Sequence, residues 1–111
     1  MEPKKFRQNL EWQLQQLVIK ELRNKGWYVI EMHASQVLSG MPDLYCTHSK
    51  YGQRWLELKL ESKHCWTTGQ KENFPKMVAN GTKIWVSFSH QNVEDLLMKP
   101  SNFTQVYAGL Y

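Results

Sequence analysis

Gly40-Met41-Pro42-Asp43-Leu44-Tyr45 and, starting thirteen residues after that aspartate, Leu56-Glu57-Leu58-Lys59-Leu60 decide how this chain is read. Both runs alternate apolar with polar side chains, the pattern of half-buried strands. The segment between them, Thr47 to Arg54, carries Lys50, Gly52 and other turn formers, so the two strands are expected to form a hairpin. Successive strand residues point to opposite faces, which puts Glu57 and Lys59 on one face and Leu56, Leu58 and Leu60 on the other. Asp43 opens the neighbouring strand. Pro42 before it has a fixed φ and no backbone donor and pushes Met41 toward extended geometry, which suits a strand entrance. Two carboxylates and an ammonium are thereby expected in one small volume.

Such a cluster suits a hard divalent ion. Mg²⁺ prefers oxygen ligands and usually takes one or two carboxylates while keeping waters that a substrate phosphate can replace. Asp43 and Glu57 fit that role, with the backbone carbonyl of Leu58 as a third ligand. A metal-bound water has a lowered pKa, and the ion neutralises charge as a phosphodiester becomes five-coordinate. Lys59 would position or deprotonate that water, or steady the pentacovalent charge. The bland alternative is an exposed hairpin on which Glu57 and Lys59 make a surface ion pair, since charged strand faces are normally just solvated. A Glu-x-Lys triplet alone favours that alternative; Gly-x-Pro-Asp on an adjacent strand favours the metal site.

Pro42-Asp43 with Glu57, Leu58 and Lys59 resembles the PD-(D/E)XK nuclease signature, and Gly40 to Leu44 resembles its form in the virus-type replication-repair nuclease branch, VRR-NUC. The likeness extends outward. Upstream, the family's helix glutamate, glycine and first strand correspond to Glu11, Gly26 and Trp27 to Met32. Downstream, its helix-opening glutamine, glycine and last core strand correspond to Gln70, Gly81 and Lys83 to Val86. The match spans residues 10 to 88, and its specificity lies in the order and spacing of short motifs. It implies a restriction-endonuclease-like core of mixed α and β structure, in the order α-β-β-β-α-β, with a mixed central sheet flanked by helices. It also implies a metal-dependent endonuclease using Mg²⁺ or Mn²⁺, with branched DNA, Holliday junctions included, as substrate in phage-type replication and repair. Glu11 would support the metal, Gln70 would orient water or phosphate, and Ser35 would be a catalytic accessory, as a serine is in the corresponding loop of junction resolvases. Because a four-way junction is cut on two strands, a homodimer follows from the same resemblance. Trp12, Trp66, Leu110 and Tyr111 are candidate interface groups.

Composition is consistent with this reading. The 111 residues suit one domain, 1–111, and 41% apolar with 13% aromatic residues set the chain apart from a disordered tail. No apolar run approaches the roughly 20 residues needed to span a bilayer, and the charged start lacks the apolar stretch of a secretory signal, so a cytoplasmic protein is expected. Cys46 and Cys65 fall in different elements and are read as free thiols. His48 near Cys46 and His64 beside Cys65 do not repeat the spacing of structural zinc ligands. A net charge of +4 with a pI near 9.1 favours a polyanionic partner.

The remaining elements follow from periodicity. Leu10, Leu14, Leu17, Val18 and Leu22 predict a helix from Asn9 to Asn24, ended by Lys25-Gly26. Glu11 borders its apolar stripe; the helix macrodipole alone also favours a glutamate there. Glu31 on the next strand is an alternative to Glu11. Gln70 to Asn80 predicts a second helix capped by Thr67 or Thr68, with Pro75 inside it kinking or shortening it. Lys83 to Ser89 reads as the fourth strand and Asn92 to Met98 as a short helix before Pro100. The apolar tail from Ser101 to Tyr111 is left to pack on the core or on a second subunit. Two other functions stay open: a nucleic-acid-binding module that has lost hydrolysis, and a sequence-specific restriction-type nuclease, for whose base readout this short chain leaves little room.

Overall fold

The computed structural model describes residues 4–32, 40–61 and 65–109. Its elements run α1 (Lys4–Asn24), β1 (Tyr28–Glu31), β2 (Leu44–His48), β3 (Gly52–Leu58), α2 (Thr68–Ala79), β4 (Ile84–Ser87), α3 (Val93–Leu97) and α4 (Phe103–Tyr107). The strands form one sheet in the order β1-β2-β3-β4. β1, β2 and β3 pair antiparallel, with Leu44 opposite Leu56, whereas β4 lies parallel to β3, with Glu57 beside Val86. A parallel neighbour requires a crossover, and α2 supplies it.

Alternation along the strands builds a layer on each face. Val29, Leu44, Cys46, Leu56, Leu58 and Trp85 point to one side, where Val18, Ile19 and Leu22 of α1 and Val93 and Leu97 of α3 bury them. Ile84 and Val86 point to the other, against Phe74 of α2 and Phe103 and Val106 of α4. The result is a three-layer mixed sheet flanked by helices, the arrangement that the resemblance implies. Leu44, Leu56, Ile84 and Val86 are inaccessible to solvent, and each such side chain contributes roughly 1.5–3 kcal/mol. No described helix is long and apolar enough to cross a membrane.

Several boundaries differ from the sequence reading. α1 begins at Lys4, one turn and more before Asn9; Phe6, four residues before Leu10, carries the apolar spacing back into that turn. β3 begins at Gly52, so the hairpin turn is only Ser49 to Tyr51, and His48 is the last residue of β2. β3 stops at Leu58, leaving Lys59 just past the strand, although its N–H still donates to Ser87 at 3.1 Å. Pro75 lies inside α2 without shortening it; the helix runs on to Ala79. The chain after Ser101 forms α4, whose Phe103 and Val106 are buried in this chain's own core. Trp66, a candidate interface group in the sequence, is half-buried and makes edge-on contacts with Phe74, Phe103 and Tyr107. Trp12 is 57% exposed. Ser35, Leu110 and Tyr111 lie outside the described residues.

Both outer strands are tied by side chains. Asn102 pairs with β4 as a strand would, its Oδ1 accepting from the Val86 N–H at 2.7 Å and its Nδ2 donating to the Val86 carbonyl at 3.0 Å. On β1, Arg23 donates to the Val29 carbonyl at 3.2 Å. Asn102→Ala leaves both Val86 groups without that partner, so urea denaturation is expected to show a loss of about 1–3 kcal/mol. A loss no larger than that of an exposed surface substitution would mean that water replaces the amide.

Candidate functional site

Asp43 and Glu57 follow from the β2–β3 register. Leu44 faces Leu56, so one step back Asp43 lies across from Glu57, on the α2 side of the sheet. The two cross-brace each other's backbone: the Asp43 N–H donates to Glu57 Oε1 at 3.1 Å, and the Leu58 N–H donates to Asp43 Oδ2 at 2.9 Å. Neither strand can slip without breaking both bonds. Glu57 is 1% exposed and Lys59 8%, so their 3.2 Å ion pair is a buried one and not the solvated surface pair of the alternative reading.

Gln70 connects them. Its Nε2 donates to Glu57 Oε2 at 2.8 Å, and its Oε1 accepts from Lys59 Nζ at 2.7 Å and from the Thr67 N–H at 3.1 Å. An anion on one side and two donors on the other leave one way round for the amide. Thr67 returns the favour with its hydroxyl accepting from the Gln70 N–H, a capping box that starts α2 at this point. Thr67 is thus the cap. Lys59 Nζ also donates to the Cys65 carbonyl at 2.8 Å and sits 4.6 Å from the centre of the Trp66 ring. Its ammonium therefore has three acceptors and an aromatic face.

Glu11, Leu14 and Gln15 of α1 join Asp43, Glu57, Leu58, Lys59 and Gln70 around a cavity of about 290 Å³. Five of the six side chains singled out from sequence, together with Leu58, are thus in one place; the sixth, Ser35, lies outside the described residues. Glu31, the alternative to Glu11, does not line the cavity; its carboxylate accepts from Gln15 and Gln16 at 3.3 Å. Gln15 and Cys65 are not among the residues singled out from sequence, and Thr67 is expected there only as a helix cap. Gln15 had a readable signal as a polar residue one helical turn from Glu11 on the face leading to Val18 and Leu22, whereas a backbone carbonyl such as that of Cys65 has none.

Burial, then the neighbouring charge of Asp43, pushes the Glu57 carboxyl up to about 8, only partly offset by Lys59. Two close carboxylates served by one ammonium are a setting a cation would relieve, and a carboxylate oxygen that accepts one hydrogen bond, as Glu57 Oε1 does, keeps lone-pair capacity for it. Among the described residues no three His, Cys, Asp or Glu side chains form a ligand group, so an ion held here would have Asp43 and Glu57 as its carboxylates and would complete its shell with backbone carbonyl and water. That is the habit of Mg²⁺.

A solved structure described as a VRR_NUC domain superposes with a TM-score of 0.64, covering 79% of this chain and 94% of its own at 20% sequence identity. The two chains share a fold. No protein-family model matches the sequence, and no curated protein matches it.

The raised Glu57 pKa has a sign. Unfolded chains release this proton near 4.5 and the folded chain near 8, so the folded state holds more protons between those values and its stability falls as pH rises through them. Melting temperature in metal-free buffer is expected to fall between pH 5 and pH 8.5, and Asp43→Asn, which removes one of the two causes, to flatten that slope. Calorimetric scans across the range decide it; an unchanged slope would clear Asp43 of any part in the shift.

Proposed function

We propose that this protein is a Mg²⁺- or Mn²⁺-dependent endonuclease that hydrolyses phosphodiester bonds at branched DNA, Holliday junctions among the substrates, in phage-type replication and repair. The observation that carries the reading is the convergence of Asp43, Glu57, Lys59 and Gln70 on one cavity, in the fold of a VRR_NUC domain.

Asp43 and Glu57 would hold the ion, with the Leu58 carbonyl as a further ligand and Glu11, on the cavity wall, supporting it directly or through water. When bound, the ion polarises a phosphoryl oxygen and makes a nucleophile of water at neutral pH. Glu57 is fixed for this task on both oxygens, by Gln70 and by the Asp43 N–H. Lys59 brings a positive charge to the place where a five-coordinate phosphorus gathers negative charge, and its service is electrostatic, because its three N–H bonds are already directed at acceptors. Gln70 positions Glu57 and Lys59 relative to each other and so orients the phosphate through them.

A four-way junction presents two strands for symmetric cutting, and a C2 homodimer presents two such sites. Exposed Trp12, Tyr28 and Ile30 are surfaces for that contact. The competing reading, a binding module that has lost hydrolysis, sits poorly with an intact Asp43, Glu57 and Lys59, since a module without hydrolysis has no use for a buried carboxylate whose charge is costly.

Labelled four-way junction, splayed-arm and linear duplex DNA, incubated with Mg²⁺, Mn²⁺ or EDTA, separate the two. Paired nicks in the junction are expected with metal and not with EDTA. Asp43→Ala is expected to abolish them while leaving junction binding largely intact, and Lys59→Met to lower kcat on the order of 10²- to 10³-fold. Tight binding without cutting in any metal would establish the module instead.

A further inference from the structure

A second cavity, of about 480 Å³, opens between the starts of β3 and β4 and the end of α3. Arg54, Lys83 and Lys99 line it together with Trp85 and Ser101, and its lining residues include no Asp or Glu. Arg54 is held rather than free: its Nε donates to the Leu97 carbonyl at 3.0 Å and its Nη1 to the Tyr51 and Gln53 carbonyls at 2.9 and 2.8 Å. The guanidinium carbon lies 5.0 Å from the centre of the Trp85 ring. A guanidinium has five N–H donors, so the two on Nη2 have no partner among the described residues. Nor does any described carboxylate pair with Arg54, Lys83 or Lys99. The Leu97 carbonyl, which would repel an anion, is already covered by Arg54.

This is chemistry for a phosphate. A fixed guanidinium with an unused pair of donors, two exposed ammonium groups and the Ser101 hydroxyl are the donor types that grip backbone phosphates without reading bases. Its place in the fold narrows the ligand. Arg54 and Trp85 face the α3 side of the sheet, whereas Glu57 faces Gln70 on the α2 side. Glu57 lies three steps along β3 from Arg54, roughly 10 Å of strand. One straight duplex cannot lie on both faces of a sheet, but a partner with two diverging arms can reach both.

We infer that this cavity is a phosphate-binding site for the sugar-phosphate backbone of a second arm of a branched nucleic acid. Its partner, though not its chemistry, rests on the function proposed above. Lys83 and Lys99 are exposed and their side chains bond nothing among the described residues, so Lys83→Glu with Lys99→Glu reverses the charge and leaves the Arg54 brace in place.

The test uses the full chain carrying Asp43→Ala, so that DNA stays uncut, with and without the two reversals, in EDTA. Fluorescence anisotropy against a four-way junction is expected to show affinity about tenfold weaker after reversal, and a plot of log K against log [salt] shallower by about one to two. A single-arm duplex is expected to lose much less. Equal losses on duplex and junction, or an unchanged affinity and salt slope, would overturn the second-arm assignment. Titration of the unreversed protein with inorganic pyrophosphate, followed by NMR at the Arg54 Nε–H and the Ser101 amide, reads the cavity independently of DNA. Shifts there that vanish on reversal support the phosphate site, and their absence overturns it. Should neither protein bind any DNA while pyrophosphate still shifts those signals, the nuclease reading and the second arm both fall, and the site belongs to a free phosphate compound.

Discussion

The arrangement turns on one buried carboxylate. Glu57 is a side chain the core would ordinarily exclude, and it is held by three donors that offset its burial and the Asp43 charge: the Asp43 N–H on one oxygen, Gln70 and Lys59 on the other. Each donor comes from a different segment. Asp43 precedes β2, Lys59 follows β3, and Gln70 lies in the first turn of α2, so satisfying one anion also docks the α2 terminus against the hairpin. Gly40 shows how close that docking is. Its φ of +90° suits glycine, and a Cβ there would lie 2.6 Å from Asn73 Nδ2 and 3.1 Å from the Gly69 backbone. The lead-in to β2 and the first turn of α2 meet at a place where no side chain fits.

Much of this was legible in the residues. Alternation in the two opening runs located the hairpin and put Glu57 and Lys59 on one face because strand geometry has a period of two, and a register fixed by buried leucines leaves no freedom to slip. The order of motifs brought in Glu11 and Gln70. Burial of the ion pair was not legible, since it depends on Gln70 of α2 and on Cys65 and Trp66 closing over it, and a Glu-x-Lys triplet reads the same whether covered or not. The run from Ser101 onward lacks strong periodicity, so its helix and its place beside β4 become visible only once Phe103 and Val106 are seen against Ile84 and Val86.

The two faces of the sheet have different tasks. On the α1 and α3 side the contacts are apolar from Val18 to Leu97, and Trp27 anchors the α3 segment through its indole N–H to Glu94 at 2.8 Å. Cys46, buried there, has its thiol pushed up to about 12 by desolvation, which leaves it inert as a nucleophile. The α2 side exchanges part of that apolar packing for hydrogen bonds among charged groups. Apolar packing and the Glu57–Lys59–Gln70 hydrogen-bond cluster thereby occupy opposite surfaces of the same strands.

The side chains on the two outer strands bear on how copies of this chain can meet. A bare strand edge invites another strand, and the new edge it creates invites a third, so that kind of contact runs on toward fibres. Here Asn102 occupies both backbone groups of Val86 and Arg23 takes the Val29 carbonyl. Strand addition is thereby discouraged at both of these points, since an incoming strand would first have to displace the Asn102 amide from Val86 or the Arg23 guanidinium from Val29.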